Sequence, residues 1–234
     1  MRRMRLVLFD VDGTLIDADG SGRRALAKAF AETFALGEPP DLAGRVRFSG
    51  ELDPVIHREI ARLLGISNRH MEAGRERLLA SYLAHLESAS RRPGKSRVLP
   101  GVRPLLARLH ATKDLRLGLV TGNVAAGARI KLAPHQLNPF FPAGGFGEDG
   151  PDRAAVARIA VERVAGGSAG TVEPGMVTII GDSERDVECG RSNGYRTLAV
   201  ASGWTSWQEL AAARPDHLVA DLAVTGALVE ILTS

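Results

Sequence analysis

Cysteine is almost missing from this chain: Cys189 is the only one among 234 residues. Neither an intrachain disulfide nor a thiolate-rich zinc or iron–sulfur site can therefore be built, and a reducing compartment, the cytoplasm, is the simplest setting. Long apolar runs are missing too. Gly, Arg, Asp and Glu interrupt every stretch short of the roughly 20 residues of a membrane span, and the apolar run after the basic start Met1–Arg5 stops at Asp10, too early for a secretory signal. No charge of one sign dominates: 30 basic and 27 acidic residues leave +3, so the pI near 9.4 reflects a small surplus. Basic and aromatic residues are not interleaved, and neither nucleic acid nor a membrane surface is expected as partner. The histidines form no HxH or HExxH pair and no GxxxxGK[ST] run occurs, which removes the anchors of a zinc hydrolase and of a P-loop.

What is present is ordinary globular composition, 44% apolar and 24% charged, in a chain long enough for one core and an inserted lobe. Leu6–Phe9, Leu115–Val120 and Met176–Ile180 are apolar runs that end in polar, glycine-containing turns, the pattern of parallel strands buried on both faces. Arg196–Ala201 predicts a fourth strand and Ala143–Phe146 a short fifth. Helical spacing lies between them: Leu26, Ala29, Phe30, Thr33 and Phe34; Leu105, Leu106 and Leu109 after Pro104; Val156, Ile159, Ala160 and Val164 after a first turn at Pro151-Asp152; and a helix after Asp186 closed by Gly194. Strand and helix alternate, the grammar of a doubly wound α/β fold with right-handed crossovers.

From about Gly20 to Ser96 that alternation stops and only helical patterns remain. Asp53-Pro54 reads as an N-cap and first turn for Ile56, Ile60, Leu63 and Leu64, with Gly65 as the stop. A further helix carries Leu79, Tyr82, Leu83 and Leu86, and Ser88–Arg97, with Pro93, reads as an exposed hinge-like connector. Leu218–Leu232 reads as a closing helix, Trp204 and Trp207 as core or sheet-edge packing with a subunit contact as the alternative, and Cys189 as a packed small residue.

In a parallel α/β sheet the chemistry lies just beyond the carboxyl ends of the strands. There the run FDVDGTL places Asp10 and Asp12 two residues apart, a pair that repels unless a cation or a shared proton offsets the charge. An EF-hand is disfavoured because Gly13 comes at the fourth loop position and Ser21 stands where a glutamate is needed; a glycosidase pair is an unspecific match. The second strand is followed by Thr121, Gly122 and Asn123, the third by GDSERD at 181–186. Asp182 and Asp186 are one helical turn apart, so both can face one site if a helix begins in that loop.

FDVDGTL, TGN, the region from Asp152-Arg153 and GDSERD, in this order, resemble the four motifs of the haloacid-dehalogenase-like hydrolase superfamily, particularly its small-molecule phosphatases of the phosphoglycolate-phosphatase type. The resemblance spans nearly the whole chain. It implies a Rossmann-like core at 1–19 and 97–234 with an inserted helical cap at 20–96 that selects substrate. It further implies that Asp10 attacks phosphorus, that Asp12 protonates the leaving oxygen and then activates water, and that magnesium is held by Asp10, the backbone of Asp12 and Asp182, with Asp186 in support. Thr121 stands with the catalytic residues, its hydroxyl offered to the phosphate, and Gly13, Thr14, Gly122 and Asn123 correspond to the phosphate-binding positions.

One position departs from the commonest pattern: relatives carry a lysine at the third motif, and this chain's lysines are at 28, 95, 113 and 131. Arg153 is the expected cation; the alternative is that it is a surface arginine beside Asp149 and Asp152, with Lys131 or Arg129 reaching inward instead. In the cap, Arg45, Arg47, Glu51 and His57 are candidate specificity residues against a reading as surface or intracap contacts. Leu52 precedes Asp53 where relatives often have threonine. The implied activity is hydrolysis of small phosphorylated metabolites by a monomer or homodimer, with a β-phosphoglucomutase-type phosphosugar mutase or a catalytically silent ligand-binding protein as alternatives. Asp12 argues against a dehalogenase, which generally lacks that second acid.

Overall fold

The structure is a computed structural model that describes residues 4–92, 94–166 and 172–234; the basic start at residues 1–3 and Pro93 of the connector lie outside the described residues. In chain order, β1 (Arg5–Phe9) and the two-residue β2 (Ile16–Asp17) lead into the helices α1 (Ser21–Phe34), α2 (Asp53–Leu63) and α3 (Asn68–Ser90). The chain returns through β3 (Arg97–Val98) to α4 (Val102–His110), β4 (Leu115–Val120), α5 (Ala125–Leu132), β5 (Gly144–Gly145) and α6 (Arg153–Ala165). It ends with β6 (Val177–Gly181), α7 (Glu184–Ser192), β7 (Arg196–Val200), α8 (Trp207–Ala212), β8 (His217–Val219) and α9 (Thr225–Thr233).

The main sheet has the order β5-β4-β1-β6-β7-β8, every pairing parallel. Strand β1 is central because its side chains are apolar on both faces, as a strand between two helical layers requires. Alternate residues point to opposite sides: Val7 and Phe9 join Leu105, Leu106, Leu119, Phe141 and Leu228, whereas Leu6 and Leu8 join Val156, Ala160, Val164 and Ile179. Helices α4, α5 and α9 thus cover one face and α6 and α7 the other.

Helices α1, α2 and α3 bury a separate cluster around Leu26, Phe30, Ile60, Leu78, Tyr82 and Leu86. Where the chain leaves and re-enters the sheet layer, β2 and β3 pair antiparallel, Ile16 with Val98 and Asp17 with Arg97. The two crossings are thereby tied together beside the carboxyl end of β1.

Several local expectations are corrected. Asp53 does not cap α2; Leu52 occupies that position with Pro54 in the first turn, and the aspartate carboxylate is used elsewhere. Leu79 is exposed while Leu78 is buried, because the inward stripe of α3 runs through Leu78, Tyr82 and Leu86. Pro151 precedes α6, and Asp152 is its N-cap, accepting from Ala155 N at 2.8 Å. Leu218–Leu232 divides into β8 and α9, since the sheet edge takes up His217–Val219 by pairing with β7 before the helix starts. Trp204 and Trp207 are exposed at 63% and 46% and belong to no core cluster. Among the described residues no helix is long and apolar enough to cross a membrane.

Candidate active site

Because β1 and β6 are neighbours in register, Phe9 opposite Ile180, the residues that follow them emerge side by side. Asp10 N–H donates to Ile180 O at 2.9 Å, and Asp182 follows Gly181 at the next strand end. Asp186 joins them from the first turn of α7. Ser183 caps that helix, and the Asp186 carboxylate answers it, taking the Ser183 amide at 3.1 Å and hydroxyl at 2.6 Å. This reciprocal cap fixes the start of α7 and turns Asp186 toward the sheet. Carboxylate oxygens of Asp10, Asp182 and Asp186 all lie within 4.8 Å of one another, and all three residues are buried.

The loop after β1 makes room for this cluster. Gly13 has φ +81°, a left-handed turn that favours glycine, and any Cβ there would strike the Asp182 carboxylate. Thr14 hydroxyl lies 3.4 Å from Asp182 Oδ1, and from the loop after β7 Ser202 donates to Gly13 O at 2.8 Å and Trp204 N–H to Asp182 Oδ2 at 3.4 Å.

Crowding of buried acids costs free energy as they ionise. Burial, reinforced by the charges of Asp186 and Asp12 and opposed by Arg153, pushes the Asp10 carboxyl up to about 6. Burial and the charges of Asp10 and Asp186 hold Asp182 well above the ordinary carboxylate range. One internal cation answers them: Arg153 Nη2 lies 3.0 Å from Asp10 Oδ1 and also contacts Asp186 Oδ1. Burial works against the charge on Arg153, but the Asp186 and Asp10 carboxylates outweigh it and keep the guanidinium protonated. Three carboxylates against one guanidinium leave two negative charges when all are ionised, on a set of hard oxygen donors. That residue set fits a divalent, oxygen-preferring cation.

Asp12 sits in a second, separate network. Lys131 of α5 reaches it with Nζ 2.6 Å from Asp12 Oδ2 and, at 2.6 Å, from Asn123 Oδ1. Asn123 donates its amide to Asp12 Oδ2 at 2.9 Å and to Thr121 Oγ1 at 2.8 Å. Thr121, Gly122 and Asn123 thus stand at the end of β4 as the sequence places them, but the Asn123 amide is spent on Asp12 and Thr121. Sequence reasoning weighed Lys131 only as a substitute for Arg153; the structure has both cations, one on each aspartate of FDVDGTL. Arg129 turns away to Phe141 O at 2.7 Å, and Asp149 pairs with Arg163 at 2.5 Å rather than with Arg153. The signal for Lys131 was available, since a rare lysine stands on the helix that starts after Asn123, among the buried positions Gly127, Ala128 and Leu132.

The helical insertion closes the site from above. Its segment 50–53 meets the loop after β4 and Arg153: Asp53 N–H donates to Gly122 O at 2.7 Å, backbone to backbone, Val124 N–H to the side-chain Asp53 Oδ2 at 2.9 Å, and Arg153 Nη1 to Gly50 O at 3.3 Å. Burial pushes the Asp53 carboxyl up to about 6, against the pull of Lys131. Arg47 pairs with Glu184 at 2.9 Å and Glu51 with Arg185 at 2.7 Å, so both span from the insertion to α7. His57 packs edge-on between Phe30 and Tyr82, where burial lowers its pKa to about 4, and Arg45 is exposed. The buried Cys189 thiol donates to Arg153 O at 3.2 Å, and burial raises its pKa to about 12. Between insertion and sheet lies a cavity of about 340 Å³ with Asp10, Asp12, Asp182 and Lys131 on its floor.

The family model for haloacid dehalogenase-like hydrolases matches residues 7–191. A phosphoglycolate phosphatase of Synechococcus elongatus is 28% identical over 222 residues, covering 92% of each chain. The N-acetylmuramic acid 6-phosphate phosphatase of Pseudomonas aeruginosa is 30% identical over 235 residues, covering 96% of this chain and 92% of its own. Among solved structures, a hydrolase from Pseudomonas syringae, 20% identical, aligns with a TM-score of 0.74 over 99% of this chain and all of that one, a likeness of fold.

Proposed function

The chain belongs to the haloacid dehalogenase-like hydrolase family and is an aspartate-based hydrolase of small-molecule phosphate monoesters, and on that premise we propose that Asp10 is the nucleophile, Asp12 the acid and base, and magnesium the metal. The observation that carries this is the meeting of Asp10, Asp182 and Asp186 within 4.8 Å at neighbouring strand ends, with Asp12 beside them under the cavity.

An Asp10 oxygen bonds to phosphorus while the ester P–O bond breaks, and Asp12 gives its proton to the departing oxygen. Water then attacks the aspartyl-phosphate, its proton returns to Asp12, and the Asp10–phosphorus bond breaks to release inorganic phosphate. Asp10, the backbone carbonyl of Asp12 and Asp182 would hold magnesium, with Asp186 behind them. What magnesium supplies when bound is neutralisation of the oxygens that Asp10 and the phosphate present to each other. Arg153 is placed to pair with a phosphoryl oxygen while keeping its contact with Asp10. Thr121, whose oxygen accepts from Asn123, keeps its own hydrogen for the phosphate, together with the amides around Gly122, Gly13 and Thr14. Residues 20–96 act as the cap that excludes water. The single reduced cysteine supports a cytoplasmic setting, and the cavity size supports a small metabolite as substrate.

Phosphate release from a panel of phosphorylated metabolites, with magnesium and with chelator, tests the reading. Release that needs metal and disappears in a folded Asp10→Asn protein is expected. Turnover retained by that variant overturns the role of Asp10.

A further inference from the structure

The cavity extends beyond the floor residues to a wall that the hydrolytic steps leave unused, formed by Arg23 of α1 and Trp204 of the loop after β7. Of the four cations lining the cavity, Arg97 pairs with Asp17 at 3.1 Å, Lys131 with Asp12 at 2.6 Å and Arg153 with Asp10 at 3.0 Å. Arg23 has no carboxylate partner among the described residues. Its guanidinium instead lies 5.9 Å from the centre of the Trp204 ring.

That contact has a chemical consequence. A contact with a ring face engages no hydrogen-bond acceptor, so it leaves the guanidinium N–H donors free to bond outward. Arg23 is half-buried, so water solvates those donors less well than at an open surface. The backbone amide of Trp204 lies 3.4 Å from Asp182 Oδ2, so the residue that Arg23 meets starts beside the acidic cluster. Gly22 next to Arg23 leaves room for Lys131, a Cβ there standing 3.3 Å from Nζ, and all three residues line the same cavity. Leu26, Phe48 and Ile56 contribute apolar lining to the same cavity.

We propose that Arg23, held against Trp204, reads a second anionic group on the leaving-group side of the ester, so that the substrates are small phosphate monoesters that also carry a carboxylate or a second phosphate. A planar fork of donors suits either anion, bidentately. The proposal rests on the hydrolase reading above and assigns the substrate class of that site.

The test compares kcat/KM for 2-phosphoglycolate and for propane-1,3-diol bisphosphate with that for 2-hydroxyethyl phosphate, a small neutral-tailed ester. The parent enzyme is expected to prefer at least one doubly anionic ester by about tenfold or more, the size of a charged hydrogen-bond contribution, and which one distinguishes carboxylate from phosphate. Arg23→Gln should collapse that ratio through KM, and Arg23→Lys should keep part of it. A parent enzyme without the preference, or an Arg23→Gln variant that slows all three esters by one common factor, overturns the proposal and makes the contact a cap latch.

Binding read by calorimetry separates this from the hydrolytic reading. In the presence of magnesium, phosphonoacetate and methylenediphosphonate are compared with ethylphosphonate, none of which can be hydrolysed as an ester. Arg23-dependent preference for a doubly anionic ligand without hydrolysis of any ester would sustain Arg23 as the reader of the second anion and sink the hydrolytic reading, and the substrate class with it. Hydrolysis without any such preference would do the reverse.

Discussion

Lys131 Nζ stands 2.6 Å from Asp12 Oδ2, while Arg153 Nη2 stands 3.0 Å from Asp10 Oδ1. Each aspartate of FDVDGTL therefore has its own cation, from a different helix. Lys131 also grips Asn123, so it orients Asp12 by a bond and through a shared neighbour. Lys131→Met should lower kcat by roughly tenfold to a hundredfold, part of the about 10²–10⁴-fold that a positioned general acid–base group contributes, with a much smaller change in KM. Steady-state kinetics on a variant of unchanged circular dichroism checks this; an undiminished kcat would remove Lys131 from the mechanism.

Arg153 has the larger structural burden, because it is buried against two buried carboxylates. Removing one partner of a buried ion pair leaves an uncompensated charge and costs on the order of 3–5 kcal/mol. Arg153→Met should accordingly lower the melting temperature in chelator more than in magnesium, since a bound cation offsets the same carboxylates. Equal losses in the two conditions would contradict that compensation.

For Asp53 the pH dependence has a defined sign. Its folded pKa of about 6 lies above its ordinary value of 3.8, so the fold favours the protonated form. This contribution is complete below about pH 4 and is lost as pH rises through about 6. Asp53→Asn has no such titration and its amide oxygen can still accept from Val124. Relative to the parent, the variant should gain stability from pH 4 to 7, by at most about 2–3 kcal/mol. Denaturant unfolding at these pH values measures it; a constant difference would refute the assignment.

Asp182 links stability to metal. Its carboxylate is repelled by Asp10 and Asp186, so Asp182→Asn should raise the melting temperature of the metal-free protein at neutral pH. The same variant should lose the stabilisation by magnesium, which for the parent amounts to about 2.7 kcal/mol at a concentration a hundred times Kd. Thermal scans across a magnesium titration test both signs.

Much of the architecture was legible in local pattern. The run Leu6–Phe9 is apolar at every position, which only a two-sided burial explains, and β4 spans Leu115–Val120 as the run predicts. Edge strand β8 was not legible: three half-buried residues adjoin a leucine-bearing helix, so periodicity merges them. Asp53 was misread because an aspartate before proline has the grammar of an N-cap, and nothing local reveals that Val124 offers a donor 71 positions away. Arg23 and Trp204 are joined only by the meeting of α1 with the loop after β7.

The sequence by itself determined which carboxylates crown the sheet, because apolar runs set the strands, Asp10 and Asp182 follow theirs directly, and Asp186 stands one helical turn after Asp182. Tertiary structure alone decided which cation answers which acid. Ion pairing depends on distance through space, and that was set by how α5 and α6 lie on opposite faces of the sheet, bringing Lys131 to Asp12 and Arg153 to Asp10.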